Sequence, residues 1–155
     1  MGHMKIDGAC LCGYLSYEAS INPERVAICH CTECQVHSAS AYRIGVLVGK
    51  RNFRLLSGVP KIYVKTADNG NPRALAFCPE CGTNLYGTGV DVQDVYSLRL
   101  GTARQRAQLT PKAQAWCRSR LPWVTHLDGM REYPKNLGQQ GDAPGVSGAP
   151  PNAVS

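Results

Sequence analysis

The sequence contains no long hydrophobic run. Its longest apolar stretches, such as residues 44–48, have the length of a strand, whereas a membrane-spanning helix needs about 18 consecutive apolar residues. No charged segment followed by an apolar one opens the chain, so nothing there resembles a secretory signal peptide. We therefore expect no membrane partner and a cytoplasmic location, a reducing compartment in which structural disulfides are rare.

Internal repeats are also missing, and the length of 155 residues favours a single domain. Residues 1–4 are interpreted as a cloning remnant followed by the native start, because a second methionine stands at Met4. Residues 138–155 hold four glycines, three prolines and one charged side chain, a composition typical of a flexible tail. The folded domain is thus expected to span residues 5–137.

Signals for helices are sparse. One short helix is predicted over residues 33–39, and residues 109–114 are a second candidate. Strand signals are frequent by contrast, because short apolar runs alternate with glycine, asparagine and proline. The predicted strands cover residues 14–17, 26–28, 44–48, 53–56, 61–64, 74–77, 92–98 and 113–117. The sequence therefore predicts a mainly β protein.

Acidic residues are few in two segments of the chain. Residues 43–73 hold seven basic residues and one acidic residue, and residues 99–120 hold six basic residues and no acidic one. The net charge is +6 at pH 7 even though the rest of the chain is acidic. Such segments can flank a pocket for a small anion, form a footprint for nucleic acid, or be a solvated basic face.

Cysteine is abundant for a reducing compartment: the chain has eight, and seven of them form three tight clusters. This usage indicates metal binding or catalysis. Zinc binds thiolates tetrahedrally, and short spacings bring two sulfurs to one ion. The eighth cysteine, Cys117, is expected to be a small buried residue. The clusters are CxC at Cys10 and Cys12, CxCxxC at Cys29, Cys31 and Cys34, and CPxCG at Cys78 and Cys81.

The clusters can share metal ions as a group of four sulfurs and a group of three. Closed sites with four protein ligands are structural, whereas three ligands and an open position are typical of catalytic zinc. We call the four the quartet: Cys10, Cys12, Cys78 and Cys81. We call the three the trio: Cys29, Cys31 and Cys34.

A zinc ribbon that joins Cys31 and Cys34 to Cys78 and Cys81 is the alternative. It leaves three clustered cysteines without a metal, so we favour the quartet and the trio. Disulfides within such short motifs form poorly, and no βαβ pattern accompanies them as a thioredoxin-like redox motif would require.

The order of these motifs resembles the glutathione-dependent formaldehyde-activating enzyme family, also called the Gfa or CENP-V family. The resemblance covers roughly residues 5–135 and rests on the three cysteine motifs with their flanking residues. Softer matches lie at residues 52–54, 57–58, 95–99 and 118–123. One departure is Ala39, where the family often has a glycine that would permit a positive backbone angle.

The resemblance implies the Mss4-like fold, a mainly β arrangement of antiparallel sheets around a structural zinc with few short helices. It also implies two zinc ions, a structural one held by the quartet and a catalytic one held by the trio. The implied activity is that of a carbon–sulfur lyase, which joins a thiol such as glutathione to formaldehyde or a related aldehyde. With glutathione and formaldehyde the product is S-(hydroxymethyl)glutathione.

Arginines are the candidate partners for the carboxylates of such a thiol, because the planar guanidinium fork matches a carboxylate. The four candidates are Arg43, Arg54, Arg73 and Arg99. His37 is a candidate fourth ligand of the second zinc, with water as the alternative. A second class of function stays open, a non-catalytic zinc module that contacts nucleic acid or protein through its basic faces. It ranks second because aromatic residues do not interleave with the basic ones.

Overall fold

In the computed structural model, the described part of the chain, residues 2–137, contains ten strands and one α-helix. The strands are β1 (Met4–Ala9), β2 (Ser16–Ile21), β3 (Ala27–Cys29), β4 (Arg43–Gly49), β5 (Phe53–Ser57), β6 (Lys61–Thr66), β7 (Pro72–Phe77), β8 (Asn84–Gly89), β9 (Val95–Arg99) and β10 (Ala113–Ala115). Helix α1 spans Thr32–Ser38. Short 3-10 turns occupy Pro23–Arg25, Lys50–Asn52, Leu100–Thr102, Arg106–Gln108, Cys117–Ser119 and Pro122–Thr125.

The strands form two sheets. The smaller sheet has the order β1-β2-β5, and the larger has the order β10-β3-β4-β9-β8-β7-β6. Every pairing between these named strands is antiparallel except β10 with β3, which is parallel. This architecture confirms the predicted mainly β class and agrees with the Mss4-like arrangement of sheets.

Aromatic side chains join the two sheets. Phe53 of β5 contacts Tyr86 of β8 and Tyr96 of β9, with ring centroids 5.4 Å and 5.0 Å away. Tyr17 of β2 contacts the same phenylalanine at 5.7 Å and is fully buried. Aromatic pairs at these distances contribute about 0.5–1.5 kcal/mol each beyond the burial of their area. The core therefore lies between the sheets, on the face of the larger sheet opposite the trio.

The sequence placed most of these elements. The helix predicted over residues 33–39 is α1, and strand signals at residues 44–48, 53–56, 61–64 and 74–77 fall within β4 to β7. Two strands, β1 and β8, gave no recognised signal because glycines interrupt their apolar patterns. The helix candidate at residues 109–114 is wrong: the backbone N–H of Lys112 donates to the carbonyl of Val26 at 2.8 Å, and β10 then pairs with β3.

The chain divides into two compact units at the bond between Leu121 and Pro122. All ten strands, α1 and every clustered cysteine belong to the first unit. In the second, the described residues make a 3-10 turn over Pro122–Thr125 and a further turn with Gly129 at a φ of 83°. The tail expected at residues 138–155 lies outside the described residues. Across residues 2–137, no helix is long and apolar enough to cross a membrane.

Candidate metal centres and their cavities

The structure brings the four thiols of the quartet together. Their Sγ atoms all lie within 4.8 Å of one another, although the residues come from two distant turns of the chain. Cys10 Sγ lies 3.6 Å from Cys12 Sγ, which lies 3.7 Å from Cys78 Sγ. All are free thiols, and the separations are far beyond a disulfide bond of about 2.05 Å.

Two glycine-ended turns present these thiols. Gly13 and Gly82 have φ angles of 83° and 76°, in the left-handed region where a side chain would be strained. In the first turn, the N–H of Leu15 donates to Cys10 Sγ at 3.2 Å. In the second, the Thr83 side chain contacts Cys81 Sγ at 3.2 Å, and this hydrogen bond, together with backbone hydrogen bonds at Thr83 and Cys12, lowers the pKa of the Cys81 thiol to about 5. Each turn thus favours the thiolate form of one of its cysteines, Cys10 and Cys81.

The quartet fits a tetrahedral zinc ion. With zinc–sulfur bonds of about 2.3 Å, the sulfurs of such a site lie about 3.8 Å apart, close to the distances between the Cys10, Cys12 and Cys78 sulfurs. The turns are also tied to each other directly, since the N–H of Leu11 donates to Thr83 Oγ1 at 3.1 Å. These four residues can therefore hold a metal ion with no further ligand.

The trio forms a second, separate group of thiols. Cys29 ends β3, Cys31 caps the start of α1, and Cys34 lies in the first turn of that helix. Their Sγ atoms lie within 4.8 Å of one another. The N–H of Cys34 donates to Cys31 Sγ at 3.2 Å, but burial and the neighbouring thiols outweigh this hydrogen bond and raise the pKa of Cys31 to about 12. Three thiols are sufficient to hold zinc with one coordination position left for another ligand.

Helix α1 ends in a strained residue. Ala39 adopts φ 50° and ψ 40°, and its N–H donates to the helix carbonyls of Gln35 and Val36. The left-handed conformation costs a non-glycine residue about 1–2 kcal/mol. Ala39 therefore adopts, at an energetic cost, the positive φ that the resemblance led us to expect of a glycine at this position.

Arginine distinguishes the surroundings of the trio from those of the quartet. Arg43 donates from Nε to Cys34 Sγ at 3.3 Å and from Nη1 to Ser97 Oγ at 2.9 Å. Arg99 donates from Nη1 to the same Ser97 Oγ at 3.0 Å. The Ser97 hydroxyl oxygen thus accepts hydrogen bonds from two guanidinium groups. These hydrogen bonds form a row of connected side chains that runs from Cys34 through Arg43 and Ser97 to Arg99.

The charged side chains in this row change the pKa values of their neighbours. Burial, followed by the positive charge of Arg43, lowers the pKa of Arg99 to about 9. Burial and the charges of Arg99 and Arg43 also lower the pKa of His37, which favours the neutral form of this imidazole. Burial raises the pKa of Cys34, but hydrogen bonds from Cys31 and Arg43 outweigh it and leave the pKa below its usual value.

Two glycines make room for the guanidinium groups. A Cβ atom at Gly45 of β4 would lie 2.9 Å from Arg43 Nη1 and 3.0 Å from a backbone oxygen. A Cβ atom at Gly87 of β8 would lie 3.1 Å from Arg99 Nη2. The two glycines lie on the strands that flank β9: Gly45 of β4 pairs with Arg99, and Gly87 of β8 pairs with Ser97. Glycine in the middle of these strands therefore lets two arginines lie flat on the sheet beside the trio.

Two cavities adjoin the trio. The large cavity, about 430 Å³, is bounded by Cys31, Trp116, Arg118 and neighbouring residues. The small cavity, about 40 Å³, is bounded by Cys34, His37, Arg43, Leu75 and Arg99. Glu33 and Lys65 form an ion pair that lines both cavities. This ion pair separates a space of ligand size from one that admits only a small group.

The candidate arginines have different locations. Arg43 and Arg99 line the small cavity, and Arg73 of β7 is near enough for its charge to act on Arg99. Arg54 lies on the smaller sheet, where it forms an ion pair with Glu18 at 2.6 Å. That pair lines another cavity, of about 770 Å³, which contains no cysteine. The structure therefore brings three of the four candidates to the trio's side of the molecule.

Two further residues show where sequence reasoning falls short. The side chain of His37 lines the small cavity. It does not belong to the group of ligand atoms that the trio forms, which within residues 2–137 contains only the thiols of Cys29, Cys31 and Cys34. The expectation that Cys117 is buried is wrong: it is exposed, because it begins a 3-10 turn after Trp116, whose φ is 57°.

Four residues of the site went unrecognised as a set: Gly45, Lys65, Gly87 and Ser97. Gly45 stood inside an apolar run, where an isolated glycine signals close approach by another group. Ser97 and Arg99 alternate along β9 and therefore share one face of the strand. Lys65 gave no signal, since its partner Glu33 is distant in sequence.

The comparisons with known proteins agree with this geometry. A search of curated proteins gives no match. Among solved structures, the chain is similar to a Rhodobacter sphaeroides protein whose crystal structure was a structural-genomics target, with a TM-score of 0.55 and 15% identity. The similarity covers 70% of this chain and 99% of that one, and it shows the fold alone. The family model described as glutathione-dependent formaldehyde-activating enzyme matches residues 5–119. By that match, which includes both cysteine groups and the two arginines beside the trio, the chain belongs to the glutathione-dependent formaldehyde-activating enzyme family.

Proposed function

We propose that this protein is a carbon–sulfur lyase that works in the synthetic direction and joins a thiol such as glutathione to formaldehyde or a related aldehyde. The observation that carries this proposal is the trio: three thiols with Arg43 hydrogen-bonded to one of them and a cavity of ligand size beside another. The quartet supplies four sulfurs from its own two turns, enough to complete a tetrahedral site, and serves as the structural centre.

The reaction needs a thiolate and an aldehyde held side by side. A zinc ion held by Cys29, Cys31 and Cys34 would supply a soft Lewis acid that favours the thiolate form of an incoming thiol. A new carbon–sulfur bond forms as the carbonyl π electrons move to oxygen, and the proton lost by sulfur ends on that oxygen. Atoms and electrons balance without an oxidant or a reductant.

The surrounding residues orient the trio and the substrates. Gln35 Nε2 donates to the carbonyls of His30 and Ser119 at 2.8 Å and 2.9 Å, which fixes α1 against the chain that follows β10. Arg43 offsets the negative charge of the thiolates at Cys34. Positioning two reactants in this way replaces a bimolecular encounter by a local step, the usual source of large rate gains.

The volume of the large cavity is in the range of small-molecule sites, and Arg118 stacks over Trp116 at 4.9 Å on its wall. A thiol with carboxylates, such as glutathione, suits a wall that offers an arginine and an aromatic face. A reducing compartment such as the cytoplasm would keep the trio's cysteines reduced, as metal binding and catalysis require. The inward placement of Arg43 and Arg99 favours a small substrate over a nucleic-acid surface.

The test is the rate of S-(hydroxymethyl)glutathione formation, followed by exchange NMR on protein loaded with zinc. Wild type should raise this rate, and Cys31→Ser should return it to the uncatalysed value while the melting temperature and the quartet's metal are retained. Cys117→Ser is the matched control, because Cys117 is an exposed thiol outside both groups. No acceleration with any thiol–aldehyde pair, in protein holding both metals, would remove the proposal. Tight binding to nucleic acid with a steep salt dependence would favour the non-catalytic alternative.

A further inference from the structure

The small cavity beside Cys34 has a chemical character that the proposed reaction with formaldehyde does not use. Three cationic side chains line it, Arg43, Lys65 and Arg99, together with one acidic side chain, Glu33. Glu33 is neutralised by its ion pair with Lys65. Two guanidinium groups are thus left facing a space that a neutral one-carbon aldehyde would not need.

Arg99 is the most informative of these residues. Its guanidinium is mostly buried, and its Nε atom has no hydrogen-bond partner among the described residues. Its Nη1 donates to Ser97, which already accepts from Arg43. A buried cation is costly unless an anion or full hydrogen bonding compensates it. Within residues 2–137 no carboxylate forms an ion pair with Arg99, and the opposite charges that act on it are the thiolates of Cys34 and Cys29.

The thiolates account for only part of the positive charge. Three thiolates around a divalent ion carry one net negative charge, which a single guanidinium balances. Arg43 is the guanidinium in direct contact, through Cys34. A thiol bound to the ion as its thiolate adds a second negative charge, which the guanidinium of Arg99 balances. Arg73, whose positive charge also acts on Arg99, then leaves one positive charge in excess beside the trio. One further anionic group would neutralise the site.

Size decides which substrate can provide that group. A cavity of about 40 Å³ holds about two or three water molecules or one carboxylate group, but not a peptide. The body of a thiol such as glutathione must therefore occupy the large cavity on the Cys31 side of the Glu33–Lys65 ion pair. The group that reaches the small cavity then belongs to the aldehyde.

We propose that the small cavity binds a carboxylate of the aldehyde substrate, held by Arg99 and Arg43, so that this aldehyde is a small 2-oxo acid of the glyoxylate type. The reacting carbonyl of such a molecule is directly bonded to its carboxylate, which matches the short distance between Arg43 and the trio. The substrate class rests on the proposed function, whereas binding of a carboxylate at Arg99 can be measured without turnover.

The kinetic test compares glyoxylate with glycolaldehyde, two aldehydes of similar size of which only the first is charged. In the presence of glutathione, kcat/KM for glyoxylate should exceed that for glycolaldehyde by about 10- to 100-fold, the usual gain from charge-assisted hydrogen bonds. The ratio should fall towards one in Arg99→Gln. It should keep its wild-type value in Arg51→Gln, which removes an exposed arginine that lines neither cavity beside the trio.

A second variant guards against misfolding of Arg99→Gln. Gly87→Ala keeps every polar group but places a Cβ atom 3.1 Å from Arg99 Nη2, so the guanidinium must move and the ratio should fall. Gly101→Ala is its control, because a Cβ there meets nothing within 4 Å. Its ratio should equal that of wild type.

A binding measurement separates the inference from the proposed function. Titration of zinc-loaded protein with glycolate, an unreactive carboxylate, should shift the Nε–H NMR resonance of Arg99 saturably, whereas ethylene glycol should not. An equal shift with chloride at the same ionic strength, or no shift at all, would overturn the carboxylate site. Turnover of formaldehyde and glycolaldehyde with no preference for glyoxylate would overturn the substrate class and leave the proposed function standing. Absence of turnover with every aldehyde would overturn both the function and the substrate class, and the glycolate titration would still decide the carboxylate site.

Discussion

The quartet and the trio are built from the same residue type but have opposite surroundings. Around the quartet, backbone N–H groups and the hydroxyl of Thr83 support the sulfurs, and the two turns close on each other. Around the trio, a backbone N–H donates to Cys31, but the guanidinium of Arg43 donates to Cys34 and two cavities open beside the thiols. In the proposed roles, a structural centre and a reactive one, the two groups thus differ less in their sulfurs than in what the fold places next to them.

The largest predicted effect breaks the quartet. Cys78→Ser, or removal of metal by a chelator, should abolish the cooperative folded state, because a structural zinc contributes about 10 kcal/mol or more in apparent free energy. Cys78 is fully buried and joins the turn after β7 to the turn after β1. Circular dichroism melts with metal stoichiometry measure the loss.

Cys29→Ser is the comparison for that experiment, since it removes a thiol from the trio instead. We expect it to retain cooperative melting and one bound zinc. If Cys78→Ser without metal melted like wild type, the two groups would not differ in the way described.

A smaller effect on stability is expected beside the trio, at Ala39, which ends the helix that carries Cys34. Ala39→Gly should stabilise the protein by about 0.5–1 kcal/mol, because relief of about 1–2 kcal/mol of left-handed strain at φ 50° exceeds the entropic cost of about 0.5–1 kcal/mol that glycine adds. In a protein of this size the melting temperature should rise by up to roughly 3 °C. Thermal and urea unfolding give the value.

Ala107→Gly is the matched control, since Ala107 lies in a 3-10 turn and is not among the described residues with positive φ. It should destabilise the protein by about 0.5–1 kcal/mol through the entropy of the unfolded chain. A fall in stability for both variants would show that Ala39 is not strained.

The smallest predicted effect concerns acid and the strand that leads to the quartet. Asp7 of β1 accepts hydrogen bonds from Gln105 Nε2 at 2.7 Å and Arg104 Nη1 at 2.5 Å. These contacts, the one from Gln105 first, lower the pKa of Asp7 in the folded state. Its contribution to stability is therefore present above the unfolded pKa of the carboxyl and is lost as the pH falls through the folded pKa.

Asp7→Asn should consequently lose less stability than wild type as the pH falls below about 4, with a small difference because the carboxylate is exposed. Urea unfolding of both proteins at several pH values measures this difference. Parallel pH profiles would exclude the contribution of Asp7 and leave acid lability to the metal centres.

Much of this comparison was accessible from the sequence. The grouping of Cys10 and Cys12 with Cys78 and Cys81 followed from counting ligands, and the structure has the same grouping. The predicted mainly β fold is confirmed. It could be predicted because short apolar runs bounded by turn residues can be recognised in a single sequence. Arg43 and Arg99 were among the candidates but could not be told from Arg54, since nothing local distinguishes an inward arginine from an exposed one.

The sequence by itself determined the parts that depend on neighbours in the chain: the two cysteine turns with Gly13 and Gly82, and the helix that presents Cys34. A metal-binding turn needs only a short spacing and a glycine that tolerates a positive φ. Only the tertiary structure decided which arginines face the trio. Pairing of β9 between β4 and β8 places Ser97 and Arg99 beside two glycines from other strands, and long-range strand pairing of that kind is not encoded in any local segment.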